Sequence, residues 1–506
     1  MQSPFSSFLF RSKQLLLLPV TTTFPRSLLP FLKAHFKTNA PLQQQQYLIN
    51  SSFQQSIRTQ TIVSSTLSAH ILSNKFPHSN IVLSPLPIHL VLSLLAVGSK
   101  GQTLDQLLAF LKIKTTDDLN FLYSKLVPFL FADNGGPRVC FANGLWVQKT
   151  LSLKPSFKHV VGTLYKADCN QVDFQTKADE VADEVNLWAE KQTNGLIKQL
   201  LPANSVNNLT WLIFTNAIYF KGAWLEKFNR SSTADADFHL LDGSTVTVPF
   251  MTNGKTQFVC QYDGFKVLQL LYLQGKDHRE FAMYFYLPDK KDGLPCLVDK
   301  IRTTPDFFDR HVPSQKVRVG RFLIPKFKIS YGFEVSQVLK EMGLVLPFSE
   351  RDGLAEMIDS FDGQSVYGAC IHHKSFVNVD EEGTEAAAAS AFLGRGCSRM
   401  MGDKVDFVAD HPFVFVIRED VSGVVLFMGQ VVNHLLLFAN NRILGIVMFC
   451  LCHVHYSYIL ISCPISKFVN KQSIIRSVYV RFWADSAACM DFVGERPNPL
   501  LFFSQK

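Results

Sequence analysis

The first residues that could support chemistry are Asp410, His411 and Pro412, where a carboxylate stands next to an imidazole. A carboxylate can orient a histidine as the general base of a hydrolase, which then activates a nucleophile. The sequence contains no G-x-S-x-G, no H-E-x-x-H and no G-x-x-x-x-G-K-[ST] motif to supply the rest of such a site. We therefore predict no catalytic residue and no enzymatic activity.

A second group of reactive side chains lies near the end of the chain, at Cys450, Cys452, His453 and His455. Zinc sites usually draw such ligands from two separated pairs, and the chain has ten cysteines but no C-x-x-C pair. We predict neither a metal nor a cofactor. The isolated cysteines elsewhere stand among apolar or mixed residues, which indicates buried free thiols and favours a reducing compartment.

The segment Glu381–Ser390 has the most unusual composition, because it contains four consecutive alanines. Small side chains fit between β-strands, and no proline follows before Cys397 to remove a ladder hydrogen bond. Alanine is nevertheless a poor strand former. Taken alone, the segment favours an exposed helix or a linker.

The composition of the chain excludes several classes of protein. Of the 506 residues, 47% are hydrophobic and only 18% are charged, which favours a large buried core over a disordered chain. The net charge of +8 comes from scattered lysines and arginines rather than a basic run or stripe. We therefore predict no nucleic-acid partner.

The two ends of the chain differ from its middle. No acidic residue precedes Asp105, and the serine-rich N-terminus favours either a plastid or mitochondrial transit peptide or a disordered extension. Near the other end, Ile443–Cys463 is uncharged and close to the ~20 residues that cross a bilayer, but its histidines and tyrosines argue against a membrane span. We predict an extension at 1–53, a folded domain at 54–433 and an appended hydrophobic tail at 434–506.

The elements of the middle part indicate an α+β protein. Apolar residues recur at helical spacing over Leu86–Leu111, with a break at Gly98–Gly101, and over Val181–Leu201. Runs rich in Val, Ile and Phe predict strands, and helices and strands do not alternate, which favours a mixed or antiparallel sheet. The predicted strands are Leu212–Phe220, Val267–Tyr272, Phe281–Leu287, Val317–Ile324 and Val424–Val432.

Ten segments of the middle part resemble the serpins, the family of serine protease inhibitors, and they follow one another in the family's order. The sequences of the last two of these segments are typical of plant serpins. The matching segments are Asn80–Ile88, Ala142–Val147, Val172–Phe174, Val185–Trp188, Thr215–Trp224, Pro325–Lys328, Met342–Leu344, His373–Ser390, Asp406–Phe413 and Gly423–Val431.

This resemblance implies the serpin fold, with a large mixed β-sheet, smaller sheets, eight or nine helices and an exposed reactive-centre loop. It also implies a suicide-substrate inhibitor: a protease cleaves the loop, and the first half of the loop then inserts into the main sheet. The shutter, a polar network beneath the parting strands, would be Ser84, Asn216 and His373. The hinge of the insertion would be Glu381, Glu382, Gly383, Thr384, Glu385, Ala386, Ala387, Ala388 and Ala389.

The resemblance also predicts the bond that the protease attacks. Counting along the loop as in other members places it between Cys397 and Ser398, with Arg395 and Arg399 as alternatives. A trypsin-like serine protease would cut after either arginine, and a papain-like or metacaspase-like cysteine protease is the alternative target. We expect the inhibitor to act as a monomer, in the cytoplasm or the apoplast.

Three further expectations concern this chain in particular. Pro87 stands where the family commonly has a second serine, which, together with the unusual bait, keeps open a non-inhibitory serpin that acts as a storage or binding protein. The pattern allows a salt bridge between Glu381 and Lys326 at the top of the main sheet. In the uncleaved protein we expect Thr384 near the top of that sheet, within reach of water.

Overall fold

The computed structural model describes residues 51–75, 78–133, 135–254, 256–349, 354–359, 370–384 and 404–433. All of them belong to one compact unit, residues 1–438. The predicted transit peptide, the uncharged run Ile443–Cys463 and the group from Cys450 to His455 lie outside the described residues. The division of the chain at residues 53 and 433 stays a prediction, although the first described helix already begins at Ser51 and buries Phe53.

Nine α-helices occur in the described residues, in agreement with the expected eight or nine. The predicted break at Gly98–Gly101 is confirmed, because it separates the second helix from the third. The helices are α1 (Ser51–His70), α2 (Pro85–Val97), α3 (Gly101–Leu111), α4 (Thr116–Leu130), α5 (Pro155–Thr163), α6 (Phe174–Gln192), α7 (Leu294–Thr303), α8 (Phe307–Arg310) and α9 (Val335–Glu341).

Every strand predicted from the sequence is present, with shifted ends. The strands are β1 (Ile81–Leu83), β2 (Arg138–Gln148), β3 (Ala167–Val172), β4 (Leu212–Ala223), β5 (Ala234–His239), β6 (Thr245–Met251), β7 (Thr256–Tyr262), β8 (Phe265–Leu271), β9 (Phe281–Pro288), β10 (Lys316–Pro325), β11 (Phe327–Glu334), β12 (Cys370–Val379), β13 (Gly383–Thr384), β14 (Val405–Val408), β15 (Phe413–Glu419) and β16 (Val424–Val431).

The helix predicted over Val181–Leu201 is wrong at both ends. Helix α6 begins earlier, with a first turn that the Asp173 side chain caps by accepting a hydrogen bond from the backbone N–H of Thr176; a kink at Lys177 (φ −138°) separates this turn from the rest of the helix. It ends at Gln192 because the next residues leave the helical conformation, with φ of +50° at Asn194 and +82° at Gly195. Ile197 is buried, as expected, but it lies beyond the helix.

The strands form two sheets. The larger has ten strands in the order β1-β16-β15-β9-β8-β7-β10-β6-β5, with β14 paired to β10. The other, called the main sheet below, has six strands in the order β11-β12-β13-β4-β2-β3. In the main sheet β4 and β12 run parallel and pair directly from Ile213 with Cys370 to Tyr219 with Phe376. The main sheet is therefore mixed, as predicted.

The core lies between these sheets and the helices that cover them. Helix α2 is buried along nearly its whole length, and all its residues except His89 and Ser93 are apolar, as a central helix requires. A smaller apolar cluster, with Trp146 and Phe174 at its centre, packs α6 against the opposite face of the main sheet. Among the described residues, no helix is both long enough and apolar enough to cross a bilayer.

Candidate functional site

The hinge segment leaves β12 at Val379, turns within three residues and comes back as β13. The turn is held by the Asp380 carboxylate, which accepts hydrogen bonds from the backbone N–H groups of Glu382 (2.9 Å) and Gly383 (3.3 Å). A Cβ at Gly383 would lie 2.1 Å from the carbonyl oxygen of Gly222. Only glycine therefore allows the returning chain to approach the backbone of β4 so closely.

Strand β13 lies between β12 and β4 at one end of the main sheet. Thr384 pairs with Val379 of β12 on one side and with Gly222 of β4 on the other, and both pairings are antiparallel. Beyond this point β4 and β12 pair directly with each other. Two residues of an additional strand are thus already seated where the two parallel strands separate.

Thr384 is fully buried, so the expectation that it lies within reach of water is wrong. Its Oγ1 is 2.7 Å from the hydroxyl of Tyr272, whose ring stacks on that of Trp224 at a centroid distance of 4.6 Å. Burial raises the pKa of Tyr272 well above its usual value, so the phenol stays neutral and can donate a hydrogen bond. The hydroxyl partner offsets the cost of burying the threonine side chain.

The glutamates of the hinge are held by a set of residues that we call the hinge clamp: Trp224, Lys227, Arg230, Thr233 and Lys326. The backbone N–H of Trp224 donates to the carbonyl oxygen of Glu382 at 2.9 Å, and its indole N–H donates to the carbonyl oxygen of Asp380 at 2.8 Å. The other contacts are ion pairs and hydrogen bonds to the carboxylates. The clamp therefore fixes both the backbone and the side chains of the hinge.

The predicted salt bridge between Glu381 and Lys326 is present and largely buried. Lys326 Nζ donates to both carboxylate oxygens, at 2.8 and 3.0 Å, and Thr233 Oγ1 donates to one of them at 2.8 Å. The Glu381 side chain is only 5% exposed. Burial alone would raise the pKa of Glu381, but the hydrogen bonds from Lys326 and Thr233 outweigh it and hold the pKa below its usual value.

Glu382 makes a similar but more exposed contact on the outer side of the turn. Its carboxylate lies 2.6 Å from Lys227 Nζ and 3.6 Å from Arg230 Nη2. The Glu382 side chain keeps 23% of its exposure, and that of Arg230 keeps 73%. Water screens this pair more than it screens the pair of Glu381, so its contribution to stability is smaller.

The three predicted shutter residues come together where Ser84, the residue before α2, contacts β12 of the main sheet beside β4. His373 Nε2 accepts from the backbone N–H of Ser84 at 3.1 Å, which places the ring proton on Nδ1 and lets it donate to Asn216 Oδ1 at 3.0 Å. Asn216 and His373 are also direct neighbours in the pairing of β4 with β12. Ser375, which the sequence did not single out, adds a hydroxyl 2.7 Å from His373 Nε2.

Comparison with known proteins identifies the family to which this chain belongs. A family model described as Serpin (serine protease inhibitor) matches residues 59–434. The chain belongs to the serpin family. It is 53% identical over 386 residues to Serpin-ZX of Arabidopsis thaliana, covering 75% of this chain and 99% of that protein, and 49% identical over 389 residues to Serpin-ZXA of rice, Oryza sativa subsp. japonica, covering 75% and 98%. These relatives are plant serpins, as the sequence indicated.

The solved structures include a close match to the same group. The structure of Arabidopsis AtSerpin1 in its native stressed conformation is 52% identical and superposes with a TM-score of 0.70, covering 76% of this chain and 99% of that one. The serpin fold of the chain is therefore established, and its family is one of protease inhibitors rather than of enzymes. The presence of proteases among its partners follows from the family.

Asp410 and His411 are not arranged as part of a hydrolase site in this serpin. His411 Nδ1 is 2.8 Å from Asp410 Oδ1, and His411 Nε2 is 2.8 Å from the carbonyl oxygen of Pro288. Both ring nitrogens are engaged, so no nitrogen remains to activate a nucleophile. In the described part of the chain, no cluster of three or more histidine, cysteine or acidic side chains could hold a metal ion.

Part of the predicted site lies outside the described residues. These residues are Glu385, Ala386, Ala387, Ala388, Ala389, Arg395, Cys397, Ser398 and Arg399. Their roles as hinge and bait stay predictions, as do the roles of the shutter residues. Around the hinge, the residues that the sequence did not reveal are Tyr272 and most of the hinge clamp, since they contact the hinge only through the fold.

Burial of His373 predicts a pH dependence of stability. Desolvation lowers the pKa of the buried His373 ring to about 3, whereas an exposed histidine in the unfolded chain titrates near 6.5. As the pH falls below ~6.5, the unfolded chain therefore takes up a proton that the folded chain refuses, and the free energy of unfolding drops by about 2 kcal/mol between pH 7 and pH 5.

In the variant His373→Gln, the free energy of unfolding measured with urea should fall by about 2 kcal/mol less between pH 7 and pH 5 than it does in the parent. His89, whose pKa is also lowered to about 3, and Glu419, whose pKa burial raises to about 7, are present in both proteins and cancel in the comparison. An equal pH dependence of parent and variant would show that His373 is accessible to protons in the folded protein.

Proposed function

We propose that this serpin is a single-use trap for endopeptidases: a protease cleaves it between Arg395 and Met400, and the segment from Glu385 to the cleaved bond inserts into its main sheet. The observation that carries the proposal is the position of β13. It runs antiparallel to β4 and to β12 and occupies the place where a strand inserted between them would begin. A segment that continued β13 would extend its pairing with both strands, and the direct hydrogen bonds between β4 and β12 would have to break to admit it.

The register of β13 supports this insertion residue by residue. Extending the pairing of Thr384 with Gly222 would bring Ala386 and Ala388 opposite Phe220 and Ile218. Both positions of β4 are buried and apolar, so small uncharged side chains enter there without a clash.

The same register would place the polar Ser390 beside polar residues of the main sheet. Ser390 would come to lie between Asn216 of β4 and His373 of β12, which are paired with each other before insertion. Its hydroxyl could replace the hydrogen bond between these two side chains, and a buried polar group needs such a partner. The sequence of the segment thus fits the path that the sheet offers.

The covalent step is that of ordinary proteolysis, stopped halfway. The serine hydroxyl or cysteine thiol of the protease attacks the bait carbonyl carbon, an ester or thioester bond forms, and the peptide bond breaks to release a new amino terminus. Insertion then displaces the acylated protease before water can hydrolyse the acyl bond. Either class of nucleophile is compatible with this step, so both remain candidates for the target.

The test is to incubate the chain with trypsin and with papain and to separate the products on a denaturing gel. We expect a covalent complex that survives SDS with at least one of them, and a released fragment whose mass places the cleaved bond between Arg395 and Met400. Cleavage confined to Ala386–Ser390, or cleavage without any complex, would contradict the proposal and favour a non-inhibitory storage or binding protein.

A further inference from the structure

A positively charged surface lies on β10 and β14, where the chain continues after the candidate bait bonds. We call it the cationic face, and it consists of Lys266, Arg318, Arg321 and Lys404. Both arginines and Lys404 are exposed. Lys266 Nζ donates to the carbonyl oxygen of Asp406 at 3.2 Å, which brings a fourth cation to the same place.

A β-bulge turns Arg321 onto this surface. Strands β10 and β14 pair Val319 with Val405 and Phe322 with Phe407, so two residues of β10 stand opposite one residue of β14. Val319 packs against the core and Phe322 is buried. The two residues between them therefore both point outward, whereas regular alternation would have turned one of them inward.

The bulge depends on a glycine and on a carboxylate. A Cβ at Gly320 would lie 2.2 Å from Asp406 Oδ1 and 3.6 Å from Lys404 Cβ, so these side chains crowd over the glycine. The same Oδ1 accepts a hydrogen bond from the backbone N–H of Arg321 at 2.7 Å. Asp406 thus holds the bulge through the backbone and leaves the guanidinium of Arg321 unengaged by its carboxylate.

Asp406 offsets part of the positive charge of this face, but its one carboxylate does not neutralise four cations in the part of the chain that the structure describes. Arg318, Arg321 and Lys404 form no ion pair there, whereas the neighbouring Lys316 is paired with Glu226 at 2.8 Å. Three exposed cations on one surface repel one another and lower the stability of the folded protein, unless an acidic partner binds them. The arrangement therefore calls for an acidic partner.

The position of the cationic face indicates which partner this is. Lys404 follows directly on residues 385–403, which contain every candidate bait bond. The seven Cα–Cα steps from Cys397 to Lys404 span at most ~25 Å when fully extended, and even a small domain is ~30 Å across. A protease that holds the bait bond in its active site must therefore lie over or beside the cationic face.

We propose that the cationic face is a docking surface for acidic residues that border the active site of the target protease. This inference rests on the proposed function, since it takes the bait segment as the place where the protease binds. Complementary charges raise the association rate of a protease by 10-fold to 10³-fold, and salt screens the effect.

The experiment compares two trypsins that share their specificity for arginine but differ in net charge, an anionic and a cationic isoform. The variant Arg318→Glu/Arg321→Glu/Lys404→Glu is mixed with each, and the second-order rate constant for loss of the intact chain is measured at low and high salt. We expect the variant to react with anionic trypsin at least 10-fold more slowly at low salt, with the difference vanishing near 1 M NaCl. The reaction with cationic trypsin should not slow.

The matched control reverses three exposed lysines elsewhere, Lys100→Glu/Lys114→Glu/Lys158→Glu, and so changes the net charge equally. It should leave both rate constants within about 2-fold of the parent, because steering by a surface patch depends on where the charge lies. A milder variant, Arg318→Gln/Arg321→Gln, should give an intermediate loss with anionic trypsin and guards against misfolding of the triple variant.

Equal rate constants for the parent and the triple variant, or an equal loss in the control, would overturn the proposal. So would binding of heparin that is lost in the triple variant while both trypsin rates stay unchanged, since the face would then serve a polyanion. The rate constants can be read whether the chain traps trypsin or is only cleaved by it. A failure of trapping is therefore distinguished from a failure of docking.

Discussion

Thr384→Arg is expected to abolish covalent trapping and to leave cleaved chain and active protease as the only products. Thr384 is fully buried beneath Tyr272, and an unpaired guanidinium at that depth costs several kcal/mol. The first two residues of the inserting strand would then be expelled from the sheet in the uncleaved protein. After cleavage the same cost would stop insertion at its first step, and the protease would complete hydrolysis.

The measurement is a gel of the variant with the protease that the parent traps, together with the stoichiometry of inhibition, which should rise at least tenfold. Thr384→Ser keeps the hydroxyl and the small volume, so it should trap protease almost as well as the parent. Undiminished trapping by Thr384→Arg would mean that the segment does not enter the sheet past Thr384, and the proposed mechanism would be wrong.

Glu381→Lys should cause a large loss of stability. The substitution removes a carboxylate that is 5% exposed and places a second ammonium beside Lys326. The change should cost about 3–5 kcal/mol, because the new ammonium at this buried position has no acidic partner and lies beside another cation. The loss should be visible as a lower midpoint of guanidinium unfolding.

Two further variants separate charge from position. Glu382→Lys reverses the charge of the neighbouring residue, whose pair with Lys227 is more exposed, and should cost only about 1 kcal/mol. Adding Lys326→Glu to Glu381→Lys restores an opposite-charge pair in reversed order and should recover part of the loss. If the double variant is no more stable than Glu381→Lys alone, the stabilising contact is not the ion pair.

The sequence indicated much of this fold because its decisive signals are local. The helix break at Gly98–Gly101 and the apolar runs of β4, β9 and β16 are read from adjacent residues, and they are present in the structure. The end of α6 was predicted too late because the apolar pattern continues to Leu201, whereas the left-handed residues at Asn194 and Gly195 end the helix.

The surroundings of the hinge could not be predicted in the same way. The hydroxyl partner of Thr384 lies 112 residues away in the sequence, and Gly383 has to be a glycine only because the backbone of Gly222 passes beside it. Lys227 and Thr233 look like ordinary surface residues in the sequence. Their role as partners of the two glutamates follows from the path of the segment after β4, which no local pattern encodes.

The seated dipeptide β13 has a consequence for how long an unused molecule survives. Starting a strand between two others is the slow step of such a process, as nucleation is for a helix, and here that step is already complete. Before cleavage, growth from β13 is resisted both by the closed seam of β4 and β12 and by the attachment of the segment to β14; after cleavage only the seam resists it. In the proposed mechanism the opening of this seam is therefore a barrier that the survival of an unused molecule and the speed of trapping share, and conditions that loosen the seam should shorten the first and quicken the second.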